Sequence, residues 1–212
     1  MSAIAEAAWR VLLNGELAEN FFVTAYAYLV GVAGACHFGS ALGLAMGWWR
    51  KFGAVIDPFV VFFSAMPRIA LYPVFLMLFG IGDLSRILIV FIGVFFPVVF
   101  NAYVGAKQTP PLLVDVARVF GYSRSRLFLV IVVPASLPYL MAGFRIGITL
   151  GMILVVVAEF FGGSSGLGQK IALTAQLYRT PEMYAWVVYT SLAALAVVRV
   201  TDQIERRVLR LT

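Results

Sequence analysis

The sequence has very little of what metal sites and thiol or histidine catalysis require. Among 212 residues there is one cysteine, Cys36, and one histidine, His37. A single cysteine cannot form an intrachain disulfide, and two such residues are too few for a Cys/His zinc site. His37 lies in an apolar segment with no acid near it in sequence, so it is interpreted as a packing residue. We therefore predict no catalytic residue, no metal site and no cofactor.

Charge is also scarce. Only 12% of the residues are charged, against about 25% in a soluble domain, while 62% are hydrophobic. So large an apolar excess cannot be buried in one globular core, which makes a lipid bilayer the natural solvent. The net charge of +6 comes from basic residues clustered between apolar segments, a pattern that indicates membrane orientation and not nucleic-acid binding.

Signals for processing or for separate domains are missing as well. Residues 1–19 lack a continuous apolar run and carry Glu6, Glu16 and Glu19, so no cleavable signal peptide is predicted. No low-complexity or Pro/Ser-rich linker interrupts the chain. The sequence therefore predicts one membrane domain.

What the sequence does have is five apolar segments, most of them near the 20 residues that cross a bilayer. They are residues 21–49, 55–79, 84–106, 137–161 and 183–201. Residues 3–13 before them read either as a surface helix ended by a turn at Asn14-Gly15 or as a frayed terminus. The predicted fold is an all-α transmembrane bundle over 21–201, with an interfacial segment 1–20 and a basic tail 202–212.

Small residues recur every fourth position in the first predicted span, at Gly39, Gly43 and Gly47. This spacing lets another helix approach closely. It indicates a packing seam, either within the subunit or between subunits, although glycine is also simply common in membrane helices.

The second predicted span is interrupted by proline. Asp57-Pro58 is typical of a helix start, and Pro67 and Pro73 should kink the segment because proline lacks a backbone donor. In a membrane such breaks persist where protein or a watery cavity satisfies the freed groups. Met66, Pro67 and Arg68 are therefore candidates for a translocation path.

Two further charges lie in the fourth span, Arg145 and Glu159. They are about 21 Å apart along a helix and so need other partners. Charges at membrane depth are functional candidates, and both are assigned to the same candidate path. The alternative for the two arginines is a structural role.

Short connecting segments set the orientation. One side holds nine basic residues and the other four, so the positive-inside rule puts the first set in the cytoplasm, the N-terminus outside and the C-terminus inside. The cytoplasmic set is Arg50, Lys51, Lys107, Arg118, Arg124, Arg126, Arg206, Arg207 and Arg210, and the other is Arg10, Arg86, Lys170 and Arg179. The polar stretch 107–134, the central loop, is then cytoplasmic.

The chain has no nucleotide-binding motif. The stretch from Gly163 to Lys170 imitates a P-loop, but Gln169 separates the glycine from the lysine, and Ile171 stands where a hydroxyl residue is needed. If the protein works with energy from ATP, the ATP would have to be bound and hydrolysed by another chain. The alternative is a secondary transporter or channel subunit that works without ATPase subunits.

The central loop contains a spaced pattern, Asp115-Val-Ala117, three residues, Gly121, nine residues, Ile131-x-Val133-Pro134. A short helix would end at Gly121, a second would turn back, and Pro134 would start the return to the membrane. The pattern resembles the EAA loop of bacterial ABC importer permeases, with aspartate for glutamate and valines at two positions. The resemblance implies an ATPase-coupling role for Asp115, Val116, Ala117, Phe120, Gly121, Ser123, Ile131 and Pro134.

The resemblance extends over most of the chain. Among ABC importer permeases, the chain is similar to the branch that imports sulfonates, taurine, nitrate and thiamine-precursor pyrimidines. It is seen in 67–73, 79–83, 143–145, 157–159 and 164–168. It implies a MetI-like permease fold in the bacterial inner membrane, a permease homodimer, two cytoplasmic ABC ATPase subunits, and a periplasmic or lipid-anchored solute-binding protein. A small anionic, organosulfur or nitrogen-containing solute would cross by alternating access. Such permeases usually begin with one more N-terminal span; here the resemblance begins near residues 12–17.

Overall fold

The computed structural model describes residues 2–209, and the regular elements in that part of the chain are helices. Apolar residues dominate their sequences, because a chain in lipid must satisfy its backbone hydrogen bonds within each segment. The helices are α1 Ser2–Leu13, α2 Glu16–Trp48, α3 Arg50–Ser64, α4 Tyr72–Phe79, α5 Asp83–Lys107, α6 Pro111–Val119, α7 Arg124–Leu127, α8 Val133–Gly162, α9 Leu167–Gln176 and α10 Thr180–Leu209.

Within residues 2–209, four helices are long and apolar enough to cross a bilayer. They are Glu16–Trp48, Asp83–Lys107, Arg124–Gly162 and Thr180–Val208. The pair Arg50–Ser64 and Arg68–Phe79 also passes together but is bent by 86°, so it makes a fifth span only if the bent pair counts as one. The predicted all-α polytopic membrane fold of about five spans is confirmed.

The break in the second span lies where Pro67 predicted it, but two other proline assignments are wrong. Pro58 lies inside α3 and not at a helix start, since the helix begins at Arg50 after the extended Trp49. Pro73 does not kink a helix, because it lies in the first turn of α4. N–H groups in the first turn have no partner within the helix, so a proline there costs no hydrogen bond. A short 3₁₀ turn, Arg68–Leu71, joins the two halves.

Pro134 does not separate the second short helix of the central loop from the next span, which corrects a third proline prediction. Helical structure runs without interruption from Arg124 to Gly162, and Phe128–Val132 form a π turn just before the proline. A proline in a helix removes one hydrogen bond and crowds the carbonyl four residues earlier. A wider π turn accommodates that crowding, so the chain returns to the membrane as one long helix.

The chain folds as two compact units. The first consists of the chain up to Ala33, Pro67–Gly93 and Ile148–Val200. One of its apolar clusters is built on Val11, Leu167 and Trp186, which packs the short helices α1 and α9 with α10. The Tyr28 hydroxyl donates to the carbonyl of Ile148 at 3.0 Å.

The second unit consists of Gly34–Met66, Val94–Gly147 and the chain from Thr201 onward. In it the glycines of α2 face α5. A Cβ on Gly39 would lie 3.0 Å from a methyl group of Val98, and a Cβ on Gly43 would overlap the carbonyl of Val99. A Cβ on Gly47 would overlap Ala106. The seam therefore lies within one chain.

The predicted tail 202–212 continues a helix: α10 runs through to Leu209. Residues 210–212, which include Arg210 of the predicted cytoplasmic set, lie outside the described residues.

Candidate functional site

The first helix of the central loop ends in a hydrogen-bonded cap centred on Gly121. This residue has φ +75°, a conformation that favours glycine. The N–H of Tyr122 donates to the carbonyl of Ala117 at 3.0 Å, and the N–H of Gly121 donates to that of Arg118 at 2.9 Å. These two bonds are a Schellman motif, which satisfies the last carbonyls of α6 and turns the chain sharply.

The second helix starts immediately after this turn. The Ser123 hydroxyl caps α7 by accepting the N–H of Arg126 at 3.3 Å. The Arg126 guanidinium lies 4.6 Å from the centre of the Tyr122 ring, a cation–π contact. Asp115 and Arg118 form an exposed ion pair at 3.2 Å, worth under about 1 kcal/mol. Local bonds thus hold α6 and α7 at a set angle.

The two helices present an apolar surface to solvent. Val119 is 87% exposed and Phe120 76%, and Leu112 and Val116 are exposed as well. Ala117, on the opposite side of α6, is buried. An exposed apolar patch edged by charged residues marks a protein interaction site, so this face of the central loop has the chemistry of a docking surface.

Both ends of the central loop are attached to long helices of the second unit. At one end the Tyr139 hydroxyl donates to the side-chain oxygen of Gln108. At the other, Phe128 packs against Trp48 and Trp49 with ring centres 5.8 and 6.5 Å away. Phe128 opens the π turn that contains the half-buried Ile131, and Pro134 follows it as an exposed residue. Side-chain contacts at both of its ends therefore hold the central loop to α2 and α8.

A second arrangement lies in the first unit, around Glu159 near the end of α8. Its side chain is 0% exposed. One carboxylate oxygen accepts the Thr24 hydroxyl at 2.7 Å and lies 3.7 Å from the Arg86 guanidinium. The other accepts the N–H of Gly168 at 2.7 Å. A buried carboxylate is stable only with such partners, and removing one from a buried ion pair costs about 3–5 kcal/mol.

Arg86 links this buried acid to the rim. Its guanidinium donates to the Ser165 carbonyl at 3.2 Å and to the Asp83 carboxylate at 2.9 Å. Asp83 is largely exposed, whereas Arg86 is buried. We call Asn20, Thr24, Arg86 and Glu159, with the amides of 166–168 that they hold, the polar cluster.

The remaining candidate path residues lie outside the polar cluster. Arg145, in the second unit, is 56% exposed and lies 3.4 Å from Asp202 and 3.5 Å from Glu205. Met66 and Pro67 form the break between α3 and the 3₁₀ turn that Arg68 opens. Arg145 and Glu159 do have separate partners outside α8, as their spacing predicted.

Sequence reasoning missed Asn20, Thr24 and the pairing of Arg86. Nothing in the sequence relates positions this far apart along the chain to one another. One signal was available: a lone acid, Glu159, precedes a glycine-rich stretch, and glycine N–H groups can donate to a carboxylate that approaches closely.

The fold defines the class of protein: a polytopic all-α membrane protein with a capped helix pair between its spans that exposes apolar side chains. Residues 39–210 match the family model described as binding-protein-dependent transport system inner membrane component. The chain belongs to that family of ABC transporter permeases.

Individual relatives agree with the family assignment. The chain is 30% identical over 204 residues, 96% of its length and 83% of the relative, to a "probable ABC transporter permease protein" of Brucella melitensis. It is 28% identical over 186 residues, 88% of its length and 66% of the relative, to the taurine transport system permease protein TauC of Escherichia coli. The fold is similar to a chain of the MetNI methionine ABC transporter in an inward-facing conformation, with a TM-score of 0.68 at 20% identity over 87% of this chain and 94% of that one.

Proposed function

We propose that this chain is the permease of an ABC importer in the bacterial inner membrane, and that the central loop docks onto a cytoplasmic ATPase subunit. ATP binding on that partner would move the loop and drive the spans between inward and outward openings. ATP hydrolysis takes place on the partner chain. The residues assigned to this contact are those predicted for the central loop from Asp115 to Pro134.

The observation that supports docking best is the capped pair of helices α6 and α7. Its turn depends on the left-handed Gly121, and Val119 and Phe120 beside it expose their side chains. A rigid element with an exposed apolar face can transmit force from one chain to another, whereas a flexible loop cannot. Coupling of this kind requires contacts that differ between two states by several kcal/mol.

The partner set follows the family: two copies of the permease, two ATPase subunits, and a periplasmic or lipid-anchored solute-binding protein. The name of the TauC relative supports a small organosulfur solute, and anionic or nitrogen-containing solutes are the alternatives. We place the N-terminus outside and the C-terminus in the cytoplasm.

The test is Gly121→Val in the complete transporter. A β-branched residue in the left-handed region costs at least about 1–2 kcal/mol, which should distort the turn between α6 and α7. A Cβ at Gly121 would meet nothing within 4 Å, so the change should spare membrane insertion. Uptake should fall about tenfold or more, the factor that corresponds to 1.4 kcal/mol. Gly121→Asn should keep most uptake, because asparagine tolerates this conformation.

Gly15→Val is the matched control. Gly15 also has positive φ, +72°, with open space around its Cβ position, but it lies between α1 and α2. Equal loss in both valine variants, or normal uptake in Gly121→Val, would count against the coupling role. Failure of any ATPase subunit to co-purify with the wild-type permease would favour a secondary transporter or channel.

A further inference from the structure

The start of α9 has no capping side chain of its own. Its N-cap residue is Gly166, and the first N–H groups of a helix have no intrahelical partner. Here those groups are satisfied by other helices. The N–H of Gly166 donates to the Asn20 side chain at 2.8 Å and that of Leu167 to the Thr24 hydroxyl at 2.9 Å. The N–H of Gly168 donates to the Glu159 carboxylate.

Only glycine fits this approach at two positions. A Cβ on Gly166 would overlap the Glu159 carboxyl group, and one on Gly168 would overlap the carbonyl of Val156. Gly166 also has φ +116°. The glycines that imitate a P-loop in the sequence therefore let three consecutive amides donate to the buried side chains of Asn20, Thr24 and Glu159.

Further contacts hold α9 along its length. One turn after the capped amides, Lys170 forms an ion pair with Glu16 of α2 at 2.8 Å. The apolar side of the helix packs through Leu167 against Trp186 of α10 and Val11 of α1. The contacts of α9 thus include both polar and apolar groups, and its partners lie on four other helices.

We propose that Glu159 is the positioning residue for α9, and that α9 stays fixed to the adjoining ends of α2 and α8 throughout the transport cycle and does not open as a lid. Opening would strip partners from three buried amides and from the Arg86–Glu159 pair, and unpaired polar groups are costly away from water. The fixed position of α9 during the transport cycle rests on the proposed transport function. The positioning role of Glu159 does not.

Amide hydrogen exchange of the complete transporter in lipid tests the positioning role. Thr24→Val keeps the shape of the side chain but removes both the hydroxyl that Leu167 donates to and one donor to Glu159. Glu159→Gln removes the charge at constant size. In each, amides 166–168 should exchange about tenfold faster, a factor worth 1.4 kcal/mol. Amides in the middle of α10 should not change.

Thr190→Val is the matched control. Thr190 is also a buried threonine in a long helix, but its hydroxyl donates only to the carbonyl of Trp186 in its own helix, at 2.8 Å. Amides 166–168 should keep their wild-type exchange in this variant. If they exchange no faster in Thr24→Val and Glu159→Gln than in Thr190→Val, the positioning role is wrong.

Cross-linking tests whether α9 moves. In a Cys36→Ser background, Glu16→Cys and Lys170→Cys would be joined by a short, cleavable bis-maleimide and uptake measured after reconstitution with the ATPase and binding protein. A fixed α9 predicts the same uptake before and after cross-linking. Loss of uptake that cleavage restores would overturn the fixed-helix inference. Absence of uptake and of ATPase binding in every form would instead contradict the proposed function, and the exchange experiment alone would then decide the role of Glu159.

Discussion

Glu159 and Gly43 show that single residues in this chain are defined by what lies next to them across the helices. The acid is stabilised in the membrane segment by a hydroxyl, an amide and a guanidinium from three other parts of the chain. The glycine is needed because the backbone of α5 comes close to α2 at that position. In both cases a small or polar residue in an apolar helix marks a close contact.

At the residue scale we expect Gly43→Ala to destabilise the permease by about 1–3 kcal/mol, the usual cost of overpacking. The added methyl group would overlap a carbonyl of α5, and backbone moves aside less easily than a side chain. This cost should exceed the helix-propensity gain of up to about 1 kcal/mol from alanine. Thermal unfolding of the purified protein measures it.

Two other glycines complete that series. At Gly39 the nearest atom would be 3.0 Å away, and at Gly82 nothing lies within 4 Å. Loss of stability should therefore decrease from Gly43→Ala to Gly39→Ala and vanish at Gly82→Ala. A flat series would show that the seam between α2 and α5 is looser than its geometry indicates.

At the element scale, the central loop and the π turn depend on local sequence. Pro111 starts α6, Gly121 ends it, Ser123 caps α7, and Pro134 follows the widened turn. None of these features needs a distant partner. The loop can therefore form as a unit whose outer face is free for another protein.

Phe120→Ala should weaken binding of the ATPase subunit without changing the amount of permease in the membrane. Fully burying a phenylalanine contributes about 1.5–3 kcal/mol, so affinity should fall about tenfold or more. Pull-down of the ATPase from detergent extracts measures this. Phe22→Ala is the control, because Phe22 is similarly exposed but lies in α2; equal binding by both variants would argue against docking at Phe120.

At the scale of the whole molecule, the charges within the spans bear on what is transported. We propose that Arg68 and Arg145 favour anions along the path, of which Met66 and Pro67 are further candidate residues. Glu159, the remaining candidate, is a buried acid and cannot favour an anion. Arg145 has two carboxylates nearby, Asp202 and Glu205, which reduce its field. Because Arg68 lies at the break in the second span, where freed backbone groups favour a watery cavity, we expect the larger effect there.

Arg68→Ala should lower uptake of an anionic solute such as a sulfonate several-fold at subsaturating concentration, and Arg145→Ala should lower it less. Radiolabelled uptake, normalised to the amount of permease in the membrane, measures both. Arg199→Ala removes the same charge from α10 and serves as the control. Normal uptake in both Arg68→Ala and Arg145→Ala would end the anion hypothesis.

Sequence alone determined the all-α membrane fold, the family and the layout of the central loop, because apolar length, proline, glycine and motif spacing act locally. The predictions made from proline were wrong at Pro58, Pro73 and Pro134, where neighbouring residues continue or restart a helix. Tertiary structure alone decided that the glycine seam lies within the chain and that Glu159 caps α9 together with Asn20 and Thr24. These contacts join residues that are far apart in sequence. They form only when the helices pack, because buried polar groups in an apolar medium must then find partners on neighbouring helices.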